Sequence, residues 1–458
     1  MVVPGADRLR RFASTRDGHQ IAIAIAVGCL LRLVWGIWAL RDTPEWWTIN
    51  GDQYSYWFFG NEIAQGRGVH EFDSSRATSY YPIGYPALLG VVYWLGMHTP
   101  LPDDQARLTA ALHIVVSTLS ILLVYFIARK TFGHRVGLVA GWIVALFPSL
   151  VVGVATYSIE TTFIFAALGA VAIVIDHEWA SGPMSRRRLL WFGVALGCAV
   201  VIRPFAAPVL IGLAVAALIT LGWRSAARHV GWAVLTFALV LTPWSIRNYN
   251  TFDRFIPIST NLGDGLCMSR YPGSDGGFAW ATHEFCADKN LPEEQRNPAN
   301  TRAAIRFVLD HPGEELRQWP KRFHLMMAND HGTLAEALGN GSHLDLPLRL
   351  RQAIDFASDW YYHMTWILAL AGTGLLFRGW RRDRGTGPRR AIIAITTLGL
   401  LFGPMALWGN PRFHTPMLPF MAIVAAAAII WALDRRRLAP PREAPEPEAI
   451  LDDRYCTA

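Results

Sequence analysis

The stretch IAIAIAVGCLLRLVWGIWAL, residues 21–40, decides the fold. It is 20 residues long and predominantly apolar, which is what a helix needs to cross a bilayer. It is too long and too aromatic at its far end for a signal peptide, and no small-residue cleavage site follows it. We therefore read it as a retained membrane span. Composition agrees: 52% of residues are hydrophobic and 17% charged, and mean hydropathy is +0.24. A soluble domain carries about 25% charged residues.

Nine more apolar runs follow, at about 108–127, 136–154, 161–175, 189–202, 205–221, 230–241, 361–377, 391–407 and 416–433. Basic residues precede the first run (Arg8, Arg10, Arg11, Arg16) and follow the second (Arg129, Lys130, Arg135), the fourth (Arg186, Arg187, Arg188) and the sixth (Arg224, Arg228). They recur after the eighth, from Arg378 to Arg390, and after the tenth, at Arg435, Arg436 and Arg437. Every second loop is short and basic, the pattern of cytoplasmic loops. It predicts an even number of spans, both termini in the cytoplasm and two long polar segments outside. A shorter apolar piece, 85–95, is expected as a half-buried helix at the outer surface.

The predicted organisation is a cytoplasmic N-terminus (1–20), a transmembrane module (21–247) holding the first outer loop (41–107), an extracytoplasmic domain (248–360), C-terminal spans (361–437) and a disordered cytoplasmic tail (438–458). The tail is rich in Pro and Glu, a composition that cannot bury a core. A net charge of +7 would suggest nucleic acid in a soluble protein. Here the cytoplasmic loops account for it, and no basic helix interleaved with stacking aromatics is present, so no nucleic-acid partner is expected.

Asp52 stands in GDQYSYW (51–57), beside Tyr54, Tyr56 and Trp57 and after Asp42, Glu45, Trp46 and Trp47. Aromatic rings around a carboxylate suit a sugar, whose ring faces are apolar. Glu160 falls at the same face, between the third and fourth spans. Arg203, Arg247 and Arg412 break the charge alternation at that face, each near a proline or an aromatic residue. Proline there is expected to break the helix and free backbone groups. Arginine forks match phosphate, so an anionic lipid headgroup is the expected ligand. Arg76 and His414 are weaker candidates for the same role. Cys267 and Cys286 share one polar segment and are candidates for a disulfide. His324, Asp330 and His331 fit no standard metal spacing and read as loop residues. Asn340-Gly341-Ser342 is a formal glycosylation triplet.

Asp52, Tyr56, Asn61–Gly68 and the run Tyr81-Pro82-Ile83-Gly84-Tyr85-Pro86 together resemble the first outer loop of GT-C membrane glycosyltransferases. The nearest resemblance is to glycosyltransferase family 39, the dolichyl-phosphate-mannose–protein mannosyltransferase-like group with its bacterial relatives. Arg203-Pro204, the run Pro243–Tyr249 with Ile258–Gly263, and Pro411–His414 fit the same pattern. The resemblance implies an all-α polytopic fold: a GT-C-like bundle of about ten transmembrane helices with a long first outer loop and a small outer domain. It implies transfer of a sugar from a polyprenyl-phosphate donor to a hydroxyl acceptor on lipid, polysaccharide or protein, outside the cytoplasmic (inner) membrane.

In that reading Asp52 is the general base and Glu160 a secondary catalytic candidate. Arg203, Arg247, Arg412, Arg76 and His414 bind the donor phosphate, and Tyr54, Tyr56, Trp57 and Tyr81 bind sugar or acceptor. A single displacement would invert the anomeric centre. No cofactor is required with certainty; a divalent metal is a possibility. Gln53 departs from the paired acids of the eukaryotic enzymes. The alternative reading is a transporter or flippase of a lipid-linked sugar. It needs a polar path through the bundle, and acids and lysines are almost absent at mid-depth.

Overall fold

The computed structural model describes residues 15–41, 51–101, 104–279, 286, 291–338, 346–378, 380 and 382–438. Asp42, Glu45, Trp46, Trp47, the glycosylation triplet at 340–342, Arg381 and the tail from 439 onward lie outside the described residues.

Seventeen α-helices are described. The first seven are α1 (Arg16–Ala39), α2 (Gly51–Ala64), α3 (Gly84–His98), α4 (Gln105–Phe132), α5 (His134–Leu146), α6 (Pro148–Val152) and α7 (Glu160–Ile175). Next come α8 (Arg186–Ile202), α9 (Pro208–Leu221), α10 (Trp223–Phe252), α11 (Leu262–Cys267) and α12 (Glu293–Asp310). The last are α13 (Pro312–Met327), α14 (His331–Leu338), α15 (Leu348–Phe377), α16 (Gly387–Met405) and α17 (Leu418–Leu438). Among the described residues there is no strand, only one bridge between His70 and Ala77. The chain is an all-α, multi-pass membrane protein.

By length and composition, the helical stretches Arg16–Ala39, Gln105–Phe132, Pro204–Leu221, Trp223–Phe252 and Pro411–Arg435 can each cross a membrane. The third predicted span is not one straight helix. It breaks at Phe147-Pro148 and bends by 60° between α5 and α6. Pro148 has no N–H for the carbonyl of Val144. Arg32 of α1, wholly buried, supplies the missing donors. Its Nη2 reaches Val144 O at 3.1 Å, and its Nη1 reaches Ala145 O at 3.0 Å and Gly28 O at 2.9 Å. Nε bonds the Ser117 hydroxyl at 2.7 Å. A cation at mid-helix is thus satisfied by backbone dipoles.

Proline does not break the seventh span as expected. α10 runs on through Pro243 to Phe252, carrying Arg247 on a continuous helix. Pro204 and Pro411, by contrast, each open a 3-10 turn, Pro204–Ala206 and Pro411–Met417. The half-buried helix expected at 85–95 is present as α3. Tyr85, Leu89 and Tyr93 are fully buried on one face, while Val91 and Trp94 are exposed on the other. Tyr85 and His113 share a hydrogen bond of 3.1 Å, and Tyr93 and Thr109 one of 2.8 Å, tying α3 to α4.

Close packing aligns the pieces that meet at the site. α8 lies on α10, α15 on α17, α2 on α3 and α9 on α16. A Cβ on Gly84 would fall 2.6 Å from the backbone carbon of Val201, so only glycine lets the start of α3 touch the end of α8. That contact brings the Tyr81–Pro86 run alongside Arg203.

Candidate active site

Four of the predicted residues converge. Asp52 lies in the first turn of α2, Glu160 opens α7, Arg203 ends α8 and Arg412 sits in the turn before α17. Asp52 Oδ2 accepts from Arg412 Nη1 at 2.9 Å, and Asp52 Oδ1 accepts from the Tyr81 hydroxyl at 2.7 Å. Burial, then the Asp52 carboxylate, raises the Tyr81 phenol well above its ordinary pKa, so it remains a donor. Asp52 keeps its side chain 40% exposed, open to an incoming group.

Glu160 faces the arginines. Its Oε1 accepts from Arg412 Nε at 2.7 Å and from Arg203 Nη1, and its Oε2 accepts from the Ser158 hydroxyl. Its side chain is only 2% exposed. The Arg203 guanidinium lies against a pair of edge-to-face rings, 5.1 Å from Phe205 and 5.3 Å from Phe413. Among the described residues, Arg412 Nη2 and the Nε and Nη2 of Arg203 make no hydrogen bond. These N–H groups are donors left over for a ligand.

Three residues at this site escaped the sequence reading. Glu336, on α14, places Oε1 2.8 Å from the same Arg412 Nη1 that holds Asp52. Burial, opposed by Arg412 and reinforced by Glu160, pushes the Glu336 carboxyl up to about 7. Its Oε2 is buried and without a partner. Gln53 donates to Glu336 O at 3.2 Å and accepts from Tyr157 N at 2.9 Å, so it clamps α2 to two other segments. Ser158 completes the set. A Cβ on Gly332 would sit 2.2 Å from Arg412 N, and this close approach is what seats α14 on the Arg412 turn. One glutamate on an amphipathic helix, over 280 residues from Asp52, carried no sequence signal.

The remaining candidates lie elsewhere. Arg247 Nη1 and Nη2 donate to Thr78 O and Val69 O, each at 3.0 Å, and the guanidinium stacks 4.8 Å from Trp244. Its fork is spent on the first loop. Arg76 is exposed and approaches Glu294 at 3.4 Å, bridging that loop to α12. His414 is fully buried, bonded to Met326 O at 2.6 Å and Asp330 Oδ1 at 3.0 Å and stacked on Tyr362. These partners occupy both ring nitrogens, so His414 is an internal strut and not a phosphate ligand.

The aromatics divide by helix face. Tyr56 is buried between Tyr81 and Tyr85. Tyr54 and Trp57 join a cluster with Phe58 and Phe72 on another face, and the Trp57 indole bonds Gln105. Of the four, only Tyr81 contacts Asp52. Cys267 and Cys286 are joined as a disulfide, with Cα atoms 5.9 Å apart. Among the described residues, no group of three His, Cys, Asp or Glu side chains could hold a metal. Where Asp52, Glu160 and Glu336 converge, the Arg412 guanidinium fills the space. His324 is exposed, Asp330 serves His414 and His331 pairs with Asp359 at 2.9 Å; His331 belongs to α14 instead of a loop.

An apolar groove of about 810 Å³ opens beside the cluster. Ile83, Leu112, Phe165, Ile202 and Trp244 line it, with Thr162 and Gly84. Its lining includes Ile202, the residue before Arg203, and Thr162, two residues past Glu160.

Residues 88–246 match the family of dolichyl-phosphate-mannose-protein mannosyltransferases. No curated protein sequence matches the chain. Among solved structures, the oligosaccharyltransferase of Archaeoglobus fulgidus in the apo form superposes with a TM-score of 0.55 at 14% identity, covering 93% of this chain and 52% of that one. The oligosaccharyltransferase AglB from Archaeoglobus fulgidus, in complex with an inhibitory peptide and a dolichol-phosphate, gives 0.55 and 14%, covering 93% and 51%. ArnT from Cupriavidus metallidurans, bound to undecaprenyl phosphate, gives 0.42 at 16% identity, covering 93% and 81%. The chain spans about half the length of the oligosaccharyltransferase chains it matches. The resemblance read from the sequence is borne out in its family segment and in the GT-C fold.

Proposed function

We propose that the chain is a membrane glycosyltransferase that moves a sugar from a polyprenyl-phosphate donor to a hydroxyl acceptor, on the outer face of the cytoplasmic membrane. One observation carries the reading: a half-open carboxylate, Asp52, shares Arg412 with Glu160, which also holds Arg203, and an apolar groove is lined by the residue next to Arg203. A lipid tail fits the groove, a phosphate fits the unused N–H donors of Arg203 and Arg412, and a hydroxyl fits beside Asp52. The likeness to AglB, whose structure is a complex with a dolichol-phosphate, supports the same donor class.

The acceptor oxygen attacks the anomeric carbon from the side opposite the phosphate, and Asp52 takes the hydroxyl proton. The anomeric C–O bond breaks with oxocarbenium character, and its electron pair goes to the phosphate oxygen. The growing charge there meets Arg203 and Arg412, already oriented by Glu160 and Ser158, so little reorganisation is needed. A single displacement inverts the anomeric centre.

The test is sugar transfer in membranes supplied with a panel of radiolabelled polyprenyl-phosphate sugars, wild type beside Asp52→Asn. Transfer by wild type and a loss of about 100-fold or more in the variant, with donor binding kept, supports the reading. Equal transfer by both removes Asp52 as base. Label that crosses the membrane on its lipid without reaching an acceptor favours a flippase.

A further inference from the structure

The proposed transfer leaves a buried acid unused. Glu336 enters the site from α14, where its Oε1 shares Arg412 Nη1 with Asp52 and its Oε2 is enclosed without a hydrogen-bond partner. A buried carboxylate oxygen with no donor is costly. It is satisfied if the carboxyl is protonated and its O–H meets an acceptor that the site has yet to receive. The charges agree. Asp52, Glu160 and Glu336 face only Arg203 and Arg412 in this network, so an all-ionised cluster carries a net −1 and repels an anionic donor. One protonated carboxyl makes it neutral.

Resting on the glycosyltransferase reading, we infer that Glu336 is a second catalytic carboxyl, the general acid that protonates the departing lipid phosphate. The groups facing Glu336 are Arg412, the Ser158 hydroxyl and, around that guanidinium, Asp52 of α2 and Glu160 of α7, with Arg203 beyond. On the neighbouring α15, Asp359 is engaged by His331, and in the turn that carries Arg412, His414 is engaged by Asp330. The adjoining α6 brings no titratable side chain. These surroundings favour the neutral form of Glu336, and burial pushes it to about 7. Two carboxyls held on one Arg412 guanidinium can divide acid and base work.

The balance closes. Asp52 takes the proton of the attacking hydroxyl as the sugar–oxygen bond forms. The bond between the anomeric carbon and the phosphate oxygen breaks, and the Glu336 proton passes to that oxygen. Polyprenyl phosphate leaves as its hydrogen-phosphate monoanion. Asp52 is then protonated and Glu336 ionised, and one proton returning through solvent from Asp52 to Glu336 restores the start. The turnover neither takes up nor releases a proton.

The experiment compares full-length wild type, Glu336→Gln and Glu336→Asp in single-turnover transfer across pH 5 to 9, an assay range of about four units, with polyprenyl phosphate binding measured in parallel. The amide of Glu336→Gln still donates a hydrogen bond but cannot give up a proton. Its binding is expected within about threefold of wild type, and its transfer rate to fall about 100-fold or more. Wild-type kcat/KM is expected to decline as pH rises through about 7, a limb absent from Glu336→Gln and kept by a partly active Glu336→Asp. Unchanged transfer by Glu336→Gln beside an active wild type overturns the acid role alone. Loss of binding in step with transfer also overturns it, because Glu336 then only holds Arg412. A wild type that transfers sugar from no donor overturns both this inference and the function it rests on.

Discussion

Glu160→Gln tests how the arginines are held. The carboxylate is 2% exposed and accepts from Arg412 Nε at 2.7 Å, from Arg203 Nη1 and from Ser158. Breaking a buried ion pair by removing one partner costs about 3–5 kcal/mol, because the other charge stays buried. The amide keeps one oxygen for one guanidinium, so we expect about 3 kcal/mol, the low end of that range. The two arginines share this acceptor, so the loss must be coupled to them. Arg203→Gln alone strands Glu160 against one arginine. With Glu160 already neutral, the same change should cost less, by about 1–2 kcal/mol. The assay is a double-mutant cycle on the unfolding midpoint in detergent micelles, titrated with a denaturing surfactant. Single costs that add within about 0.5 kcal/mol would refute the shared-acceptor argument, as would a Glu160→Gln variant as stable as wild type.

Two further outcomes are expected. Arg32→Leu strands the carbonyls of Val144 and Ala145 at the bend before α6, at about 1–3 kcal/mol for each unsatisfied group; an unchanged unfolding midpoint would show that the bend needs no cap. In the first loop, hydrogen bonds from Arg67 and His70 outweigh burial and hold Glu62 below its ordinary pKa, while Glu62 raises His70. The Glu62 contribution is complete above the unfolded carboxylate value, about 4.3, and fades as pH falls through the lower folded value. The His70 contribution is complete below the unfolded imidazole value, about 6.5, and fades as pH rises through the higher folded value. Hydrogen-exchange protection of residues 66–78 should therefore be greatest between about pH 4.3 and 6.5, and a profile flat from pH 3 to 9 would sink this account.

Helix positions followed from local chemistry. The apolar run at 21–40 is long enough to span whatever it packs against, so α1 was legible, and so was α3, an apolar run too short to span. Asp52, Arg203 and Arg412 stood out because a charge beside an apolar run is costly, and that cost is written in the sequence itself. Arg32, inside the run 21–40, carries the same local mark, but nothing local names its partners. Its burial makes sense only once Pro148 has freed the carbonyl of Val144, on a helix more than a hundred residues away.

Arg247 and His414 carry the same one-dimensional signature as Arg412. Their separation into loop clamp, internal strut and charged hub depends on which acceptors three-dimensional packing brings near. Glu336 makes the same point from the other side. An acid on an amphipathic helix is ordinary until Gly332 lets α14 approach the Arg412 backbone and shuts water away from Oε2. Sequence determines which segments leave water, because burial energy is summed along the chain. Tertiary structure decides which charges meet, because the partners that make a buried charge tolerable come from distant segments.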